Sequence, residues 1–223
     1  MTNMPFRIYK DAEKEKNMPD FKIEDSLGGI VAGVDEAGRG PWAGPVVAGA
    51  VVILDRNLDA ELLNGLDDSK KLSAKKREKL YNLLFEEEKN GRVAIGIGEA
   101  SAEEIDALNI LQATFLAMTR AVEKLKAIPE IAIIDGNQNP KKFPCPSKTV
   151  VKGDAKSMSI SAASIAAKVY RDRLMSELAE KYPYYGFEKN AGYGTKAHIE
   201  GLKSYGIIPE HRKSYKPIQA FLK

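Results

Sequence analysis

Beyond residue 29 the chain alternates short apolar runs with polar segments. Residues 30–35 form one such run and read as a strand; residues 46–54 (VVAGAVVIL) form another, reached through the Gly/Pro-rich segment 38–45. So short a link predicts an antiparallel pair. Ser73 stands where an N-cap belongs for a helix over Ala74–Lys89, and Gly91 stands at its stop. Residues 92–99 predict a third strand. Ser101 and Glu104 make a capping box that opens one long amphipathic helix, with Ile105, Leu108, Leu111, Phe115, Met118, Val122 and Leu125 on one face. Residues 131–134 read as a buried strand ending at Asp135-Gly136, and 149–151 as a shorter one ending near Gly153-Asp154. An Ala/Ser-rich helix is predicted over about 159–181. The remainder, 182–223, is aromatic, Gly-rich and basic, with a helix expected near 195–205.

Three strands in hairpin-like succession, then alternating helix and strand, imply a mixed sheet with helices packed on it. This is an α/β or α+β domain. Residues 1–28, rich in Lys, Glu and Asp, read as a weakly ordered N-terminal extension, which leaves 29–223 as one domain.

A length of 223 residues and 43% hydrophobic content suffice for a single domain with a real core. With 34 basic and 31 acidic residues, the net charge of +3 does not by itself mark a nucleic-acid binder, so local clustering must carry that claim. The single cysteine, Cys145, excludes an internal disulfide and fits a reducing compartment. No apolar run is long enough to span a membrane, and the N-terminus has no apolar signal core; a cytoplasmic location is expected.

Chemistry concentrates in Asp35-Glu36-Ala37-Gly38-Arg39-Gly40. Acids at the end of a buried strand are costly to desolvate unless a cation meets them. Asp135 ends the fourth predicted strand and Asp154 follows the fifth; if the first and fourth strands are neighbours, Asp35 and Asp135 face each other at one sheet edge. Adjacent strand residues point to opposite faces, so Glu36 can join Asp35 only if the strand bends or ends there. Four carboxylates without histidine or cysteine suit Mg2+ or Mn2+ and argue against zinc. Taken singly, each acid has a plain structural reading: Asp154 as a helix cap, Asp135-Gly136 as a turn.

Several segments then point to a family. GVDEAGRGPWAGPVVAGAVV from Gly33, DSKKLS from Asp68, IIDG from Ile133, VKGDAKSMSISAASIAAKVYRDRLM from Val151, GYGT from Gly192 and HRKSY from His211 resemble type 2 ribonuclease H in its bacterial ribonuclease HII form. The resemblance implies a ribonuclease H-like fold: a five-stranded mixed sheet flanked by helices, with a small helical C-terminal segment. It also implies an endonuclease of the hydrolase class that cuts the RNA strand of RNA–DNA hybrids. Such an enzyme incises 5′ of single ribonucleotides embedded in duplex DNA, leaves 5′-phosphate and 3′-hydroxyl ends, and serves ribonucleotide excision repair. The family's metal-binding catalytic acids fall on Asp35, Glu36, Asp135 and Asp154, which would hold two divalent ions, Mg2+ or Mn2+. Its substrate contacts fall on Gly38, Arg39 and Gly40, whose main chain meets the 2′-hydroxyl, on the phosphate-contacting Lys70, and on Tyr193, which packs on the neighbouring sugar. The substrate-contacting part of the C-terminal segment belongs to the catalytic domain.

Other residues read more plainly. Asp172 is expected to pair with neighbouring arginines, and Trp42 to pack beneath the glycine loop. Lys196, His198, Arg212 and Lys213 are candidate backbone-phosphate contacts. The tail, residues 217–223, carries a Gln and a Phe-Leu pair that faintly resemble a sliding-clamp-binding peptide, against a plain amphipathic helix. A monomer is expected. The alternatives are a junction resolvase or integrase core on the same superfold, and a hybrid-binding module without catalysis. The related HIII form carries an extra N-terminal domain, for which 28 residues are too few.

Overall fold

The computed structural model describes residues 18–67, 69 and 72–222. In chain order the elements are α1 (Lys22–Leu27), β1 (Val31–Ala37), β2 (Val46–Ile53), α2 (Ala60–Gly65), α3 (Ala74–Lys89), β3 (Val93–Ala100), α4 (Ala102–Leu108), α5 (Ile110–Glu123), β4 (Ile131–Asp135), β5 (Ser147–Val150), a 3-10 turn (Gly153–Ala155), α6 (Met158–Lys181), α7 (Phe187–Asn190), α8 (Lys196–Tyr205) and α9 (Lys216–Gln219).

The strands form one five-stranded sheet in the order β3-β2-β1-β4-β5. β1 is antiparallel to β2 and parallel to β4, so the sheet is mixed as expected and its first and fourth strands are neighbours. Alternation along the strands splits the core in two. Ala32, Val34, Val46, Ala48, Ala50 and Val52 pack against α5 on one face. On the other face Val51, Val93 and Ile95 meet α3 and α6.

α6 lies unusually close to the sheet because both surfaces are small. Its first turns are Ser and Ala, and β1 presents Gly33 beneath it. A methyl group on Gly33 would collide with the backbone of Ser159 and Ile160, and one on Gly49 with the carbonyl of Ala163. The C-terminal segment packs as a helical module around Ala43, Met175, Tyr185, Phe187, Leu202 and Ile218.

Two expectations change. The single helix predicted after Ser101 is two helices, broken at Asn109. Asn109 takes a left-handed φ of 70°, a conformation Asn tolerates, and its side chain caps α5 by accepting from the N–H groups of Leu111 and Gln112. Of the extension expected over 1–28, residues 1–17 lie outside the described residues, whereas 18–28 dock on the domain. Glu24, 8% exposed, accepts hydrogen bonds from Ser157 Oγ, Ser159 N and Ser159 Oγ at 2.6, 3.0 and 2.7 Å. A carboxylate is favoured there by the N-terminal end of the α6 dipole. Among the described residues no helix is long and apolar enough to cross a membrane.

Gly33→Ala is expected to destabilise the protein by about 3 kcal/mol, because the obstructing atoms are backbone and cannot rotate away. Urea midpoints for the two proteins measure this.

Candidate active site

Asp35 and Glu36 both lie inside β1, which pairs with β2 as far as Ala37↔Val47. The strand therefore does not end at Asp35, and the two acids leave opposite faces of the sheet. Asp35, 5% exposed, points toward α6, with Ser164 beside its carboxylate. Glu36 points toward α5 and, with Asp135, lines a small cleft of about 80 Å3. It also lines the larger cleft that holds Asp35, so it spans the two.

Burial pushes the Asp35 carboxyl well above the usual carboxylate range, and the charges of Glu36 and then Asp135 push it further. These three acids are therefore electrostatic neighbours. Asp135 Oδ1 accepts the N–H of Gly153 at 2.6 Å, which ties the end of β4 to the turn carrying Asp154. Asp154 is 6% exposed. It does not cap α6; Ser157 does, accepting from Ile160 N at 3.2 Å. Among the described residues no three His, Cys, Asp or Glu side chains are grouped tightly enough to hold a metal ion as they stand. The chemistry of the set nevertheless fits a hard cation: the donors are all carboxylate oxygens, and their mutual repulsion is the kind a divalent ion relieves.

The larger cleft, about 330 Å3, is lined by Asp35, Glu36, Gly38, Arg39, Gly40 and Tyr193, with Ser69, Ser164, Lys168 and Arg171 behind them. Gly38 has φ +97°, and a side chain there would strike Arg171. Arg39 extends a guanidinium to Glu36 at 3.4 Å. In the loop after β1, Trp42 O accepts the backbone N–H of Arg212, but the carbonyls of residues 38, 39 and 43–45 turn to side chains instead. Two buried cations supply those side chains. Arg212 Nη2 donates to Gly38 O at 2.5 Å, Nη1 to Arg39 O at 2.9 Å, and Nε to Gly44 O at 3.0 Å. Arg171 donates to Pro45 O at 2.9 Å, Ala43 O at 3.1 Å and Ala191 O at 3.0 Å. Burial, and next the neighbouring Arg212 charge, lower the Arg171 guanidinium to about 10, which leaves it a cation at neutral pH.

Tyr193 stands on the opposite lip, 52% exposed, close enough to Gly40 that a methyl there would sit 3.3 Å from its ring. The two lips are joined: Trp42 N donates to Gly192 O at 2.8 Å. The Trp42 indole fills the space over Gly194.

Several sequence expectations require correction. His198 and Arg212 are fully buried and cannot touch a phosphate; His198 bonds His211, and Arg212 holds the loop. Lys196 and Lys213 are exposed. Asp172 pairs with Lys168 at 2.5 Å and Arg77 at 3.8 Å, rather than with the arginines beside it in sequence, because those diverge around the helix. Lys70 lies outside the described residues. Ser164, Lys168 and Arg171 were missed. Their spacing of four and then three places them on one helical face, which was the available signal. In the tail, Ile218 is buried and Phe221 packs on the C-terminal module.

A mixed sheet in this order, with acids in the last residues of two adjacent strands and a glycine loop beside them, defines a nuclease of the ribonuclease H-like class. The family model for ribonuclease HII matches residues 32–218. A ribonuclease HII of Rhodospirillum rubrum is 54% identical over 205 residues, 92% of each chain. The ribonuclease H2 structure from Pyrococcus horikoshii superposes with a TM-score of 0.69 at 31% identity, covering 86% of this chain and 97% of that one. The ribonuclease HII in the PCNA complex from Archaeoglobus fulgidus gives a TM-score of 0.67 at 29% identity, covering 84% and 95%. The chain belongs to the ribonuclease HII family. It is a type 2 ribonuclease H, a hydrolase acting on RNA–DNA hybrids.

A carboxyl raised in the fold binds its proton more tightly folded than unfolded, so its ionisation subtracts stability as pH climbs from the unfolded value through the folded one. Without divalent ions, Asp35→Asn is therefore expected to melt above the wild type at neutral pH, with the gap closing in acid. Thermal melts across pH measure it.

Proposed function

We propose that this enzyme incises duplex DNA on the 5′ side of a single embedded ribonucleotide, leaving 5′-phosphate and 3′-hydroxyl ends, and also cuts the RNA strand of longer hybrids. The observation that carries this reading is one cleft shared by Asp35, Glu36, the Gly38-Arg39-Gly40 loop and Tyr193. A scissile phosphodiester and the sugar attached to it are only a few bonds apart. Acids acting on the first and groups reading the second must therefore share a cleft.

Asp35, Glu36, Asp135 and Asp154 are the proposed holders of two divalent ions, Mg2+ or Mn2+. Bound there, the ions supply charge stabilisation and water activation for phosphodiester hydrolysis. Repulsion among Asp35, Glu36 and Asp135 supports a cation at this position. Glu36, lining both clefts, is suited to link the two halves of the acid set.

Selectivity for RNA rests on the 2′-hydroxyl, which both donates and accepts. The main chain of 38–40 is proposed to contact it. With five carbonyls of the 38–45 loop turned onto Arg171 and Arg212, the loop has little freedom to drift from a bound sugar. Tyr193 is proposed to pack on the next sugar, where a deoxyribose fits better than a hydroxylated one. Lys70 would add a phosphate contact, setting affinity and salt dependence rather than ribose selectivity. Both lips come from one chain, which supports a monomeric enzyme. The Archaeoglobus relative is in complex with PCNA; a sliding-clamp contact through this tail would have to free Phe221 from its own module.

The test is cleavage of a labelled DNA duplex carrying one ribonucleotide, with Mg2+, with Mn2+ and with chelator, beside an all-DNA control. A metal-dependent cut 5′ of the ribose, absent from the control, is expected. Cutting of long hybrids alone would remove the junction reading, and silence on both would favour a hybrid-binding module. Asp135→Asn is expected to lower the cleavage rate by at least about a thousandfold while substrate still binds; near-wild-type cutting would overturn its assignment. Tyr193→Ala is expected to lose about tenfold or more in kcat/KM on the single-ribonucleotide duplex, with a smaller loss on a long hybrid.

A further inference from the structure

The two histidines of the chain lie outside the proposed chemistry, yet both are fully buried and bonded to each other, Nε2 to Nε2, at 2.9 Å. Each end of the pair has a fixed polarity. At one end the backbone N–H of Ile208 donates to His211 Nδ1 at 2.9 Å. At the other, His198 Nδ1 lies 3.0 Å from the carbonyl oxygen of Tyr193. An N–H only donates and a carbonyl only accepts. A neutral His211 must therefore carry its proton on Nε2 and donate it to His198 Nε2. His198 must then carry its proton on Nδ1 and donate it to Tyr193. Only one pair of tautomers satisfies every contact.

We infer that His211 and His198 are positioning residues: a one-way hydrogen-bond relay that fixes the main chain of Tyr193 for ribose reading. This role rests on the reading of Tyr193 proposed above. The rings facing the pair are Trp42, Tyr185 and Phe187, an aromatic setting that favours neutral imidazoles. Burial lowers both, His211 to about 4, so the relay keeps its tautomers at neutral pH. The Tyr193 carbonyl also accepts from Thr195 N at 2.8 Å, and its N–H donates to Asn190 O at 2.9 Å. With both main-chain groups held, the ring keeps its place beside Gly40.

The relay begins beside the residue that holds the other lip. Arg212, next in sequence to His211, donates to the carbonyls of Gly38 and Arg39. Consecutive side chains thus clamp the glycine loop directly and Tyr193 through His198, which sets the width of the cleft between them.

Two measurements test this. Nitrogen-15 spectra of the histidine rings in the full-length protein at neutral pH are expected to show two neutral rings of opposite tautomer, assigned by the single variants. Reversed tautomers, or a charged ring, would overturn the relay whatever the variants do. In the second, kcat/KM is compared on a single-ribonucleotide duplex and on a long RNA–DNA hybrid. His211→Phe, which removes the donor and keeps the bulk, is expected to lower the ratio of the two about tenfold. His211→Gln, whose amide again presents a donor, is expected to recover much of it. If Tyr193→Ala moves the ratio and His211→Phe does not, the relay fails while the reading of Tyr193 stands. If neither moves it, the reading of Tyr193 fails and the relay's role with it. Should His211→Phe not fold, His198→Asn, which keeps a donor toward Tyr193, takes its place, and a ratio no higher than that of Tyr193→Ala counts against the relay.

Discussion

Two guanidinium groups sealed behind the glycine loop hold the functional end of this molecule in shape. Arg171 and Arg212 are 2% and 0% exposed, and burying a cation is tolerable only when its donors are satisfied. Here the acceptors are backbone carbonyls of residues 38, 39, 43, 44, 45 and 191. The exchange works in both directions. The loop leaves the sheet with five carbonyls turned inward, and the arginines enter the interior with their donors spent on those carbonyls. Each solves the other's desolvation problem.

The same economy appears in α6. One face of this 24-residue helix passes over Gly33, presents Ser164 to Asp35, carries Lys168 along the cleft wall and ends on Arg171. Small residues at its start allow the close approach that makes these contacts possible. Functional groups held by one rigid helix and one central strand keep their spacing better than groups on independent loops. The N-terminal end of the helix is anchored in turn by Glu24, a residue in a stretch whose composition reads as loosely structured.

Much of this was legible from neighbouring residues. Ser73, Ser101 and the apolar runs of β1 to β4 mark their elements to within a residue or two, because caps and alternation are local signals. Asn109 shows where locality misled: the apolar stripe runs on past it, but its side chain satisfies α5 better than continued helix would. The acids stood out because Asp at the end of an apolar run is costly. Their division across the sheet did not, since it depends on how far β2 continues alongside β1.

Local pattern marks the strands and the longer helices, the four acids in or just after strands, the glycine loop and the tyrosine between glycines, all within reach of their own neighbours. Only the assembled fold makes Glu36 line both the cleft of Asp35 and that of Asp135, turns His198 and Arg212 inward rather than toward a phosphate, and brings Tyr193 to rest beside Gly40. Those outcomes hang on contacts such as Arg212 to Gly38, 174 residues apart. No local pattern announces such a contact, because it depends on which buried carbonyls the completed fold leaves in need of a donor.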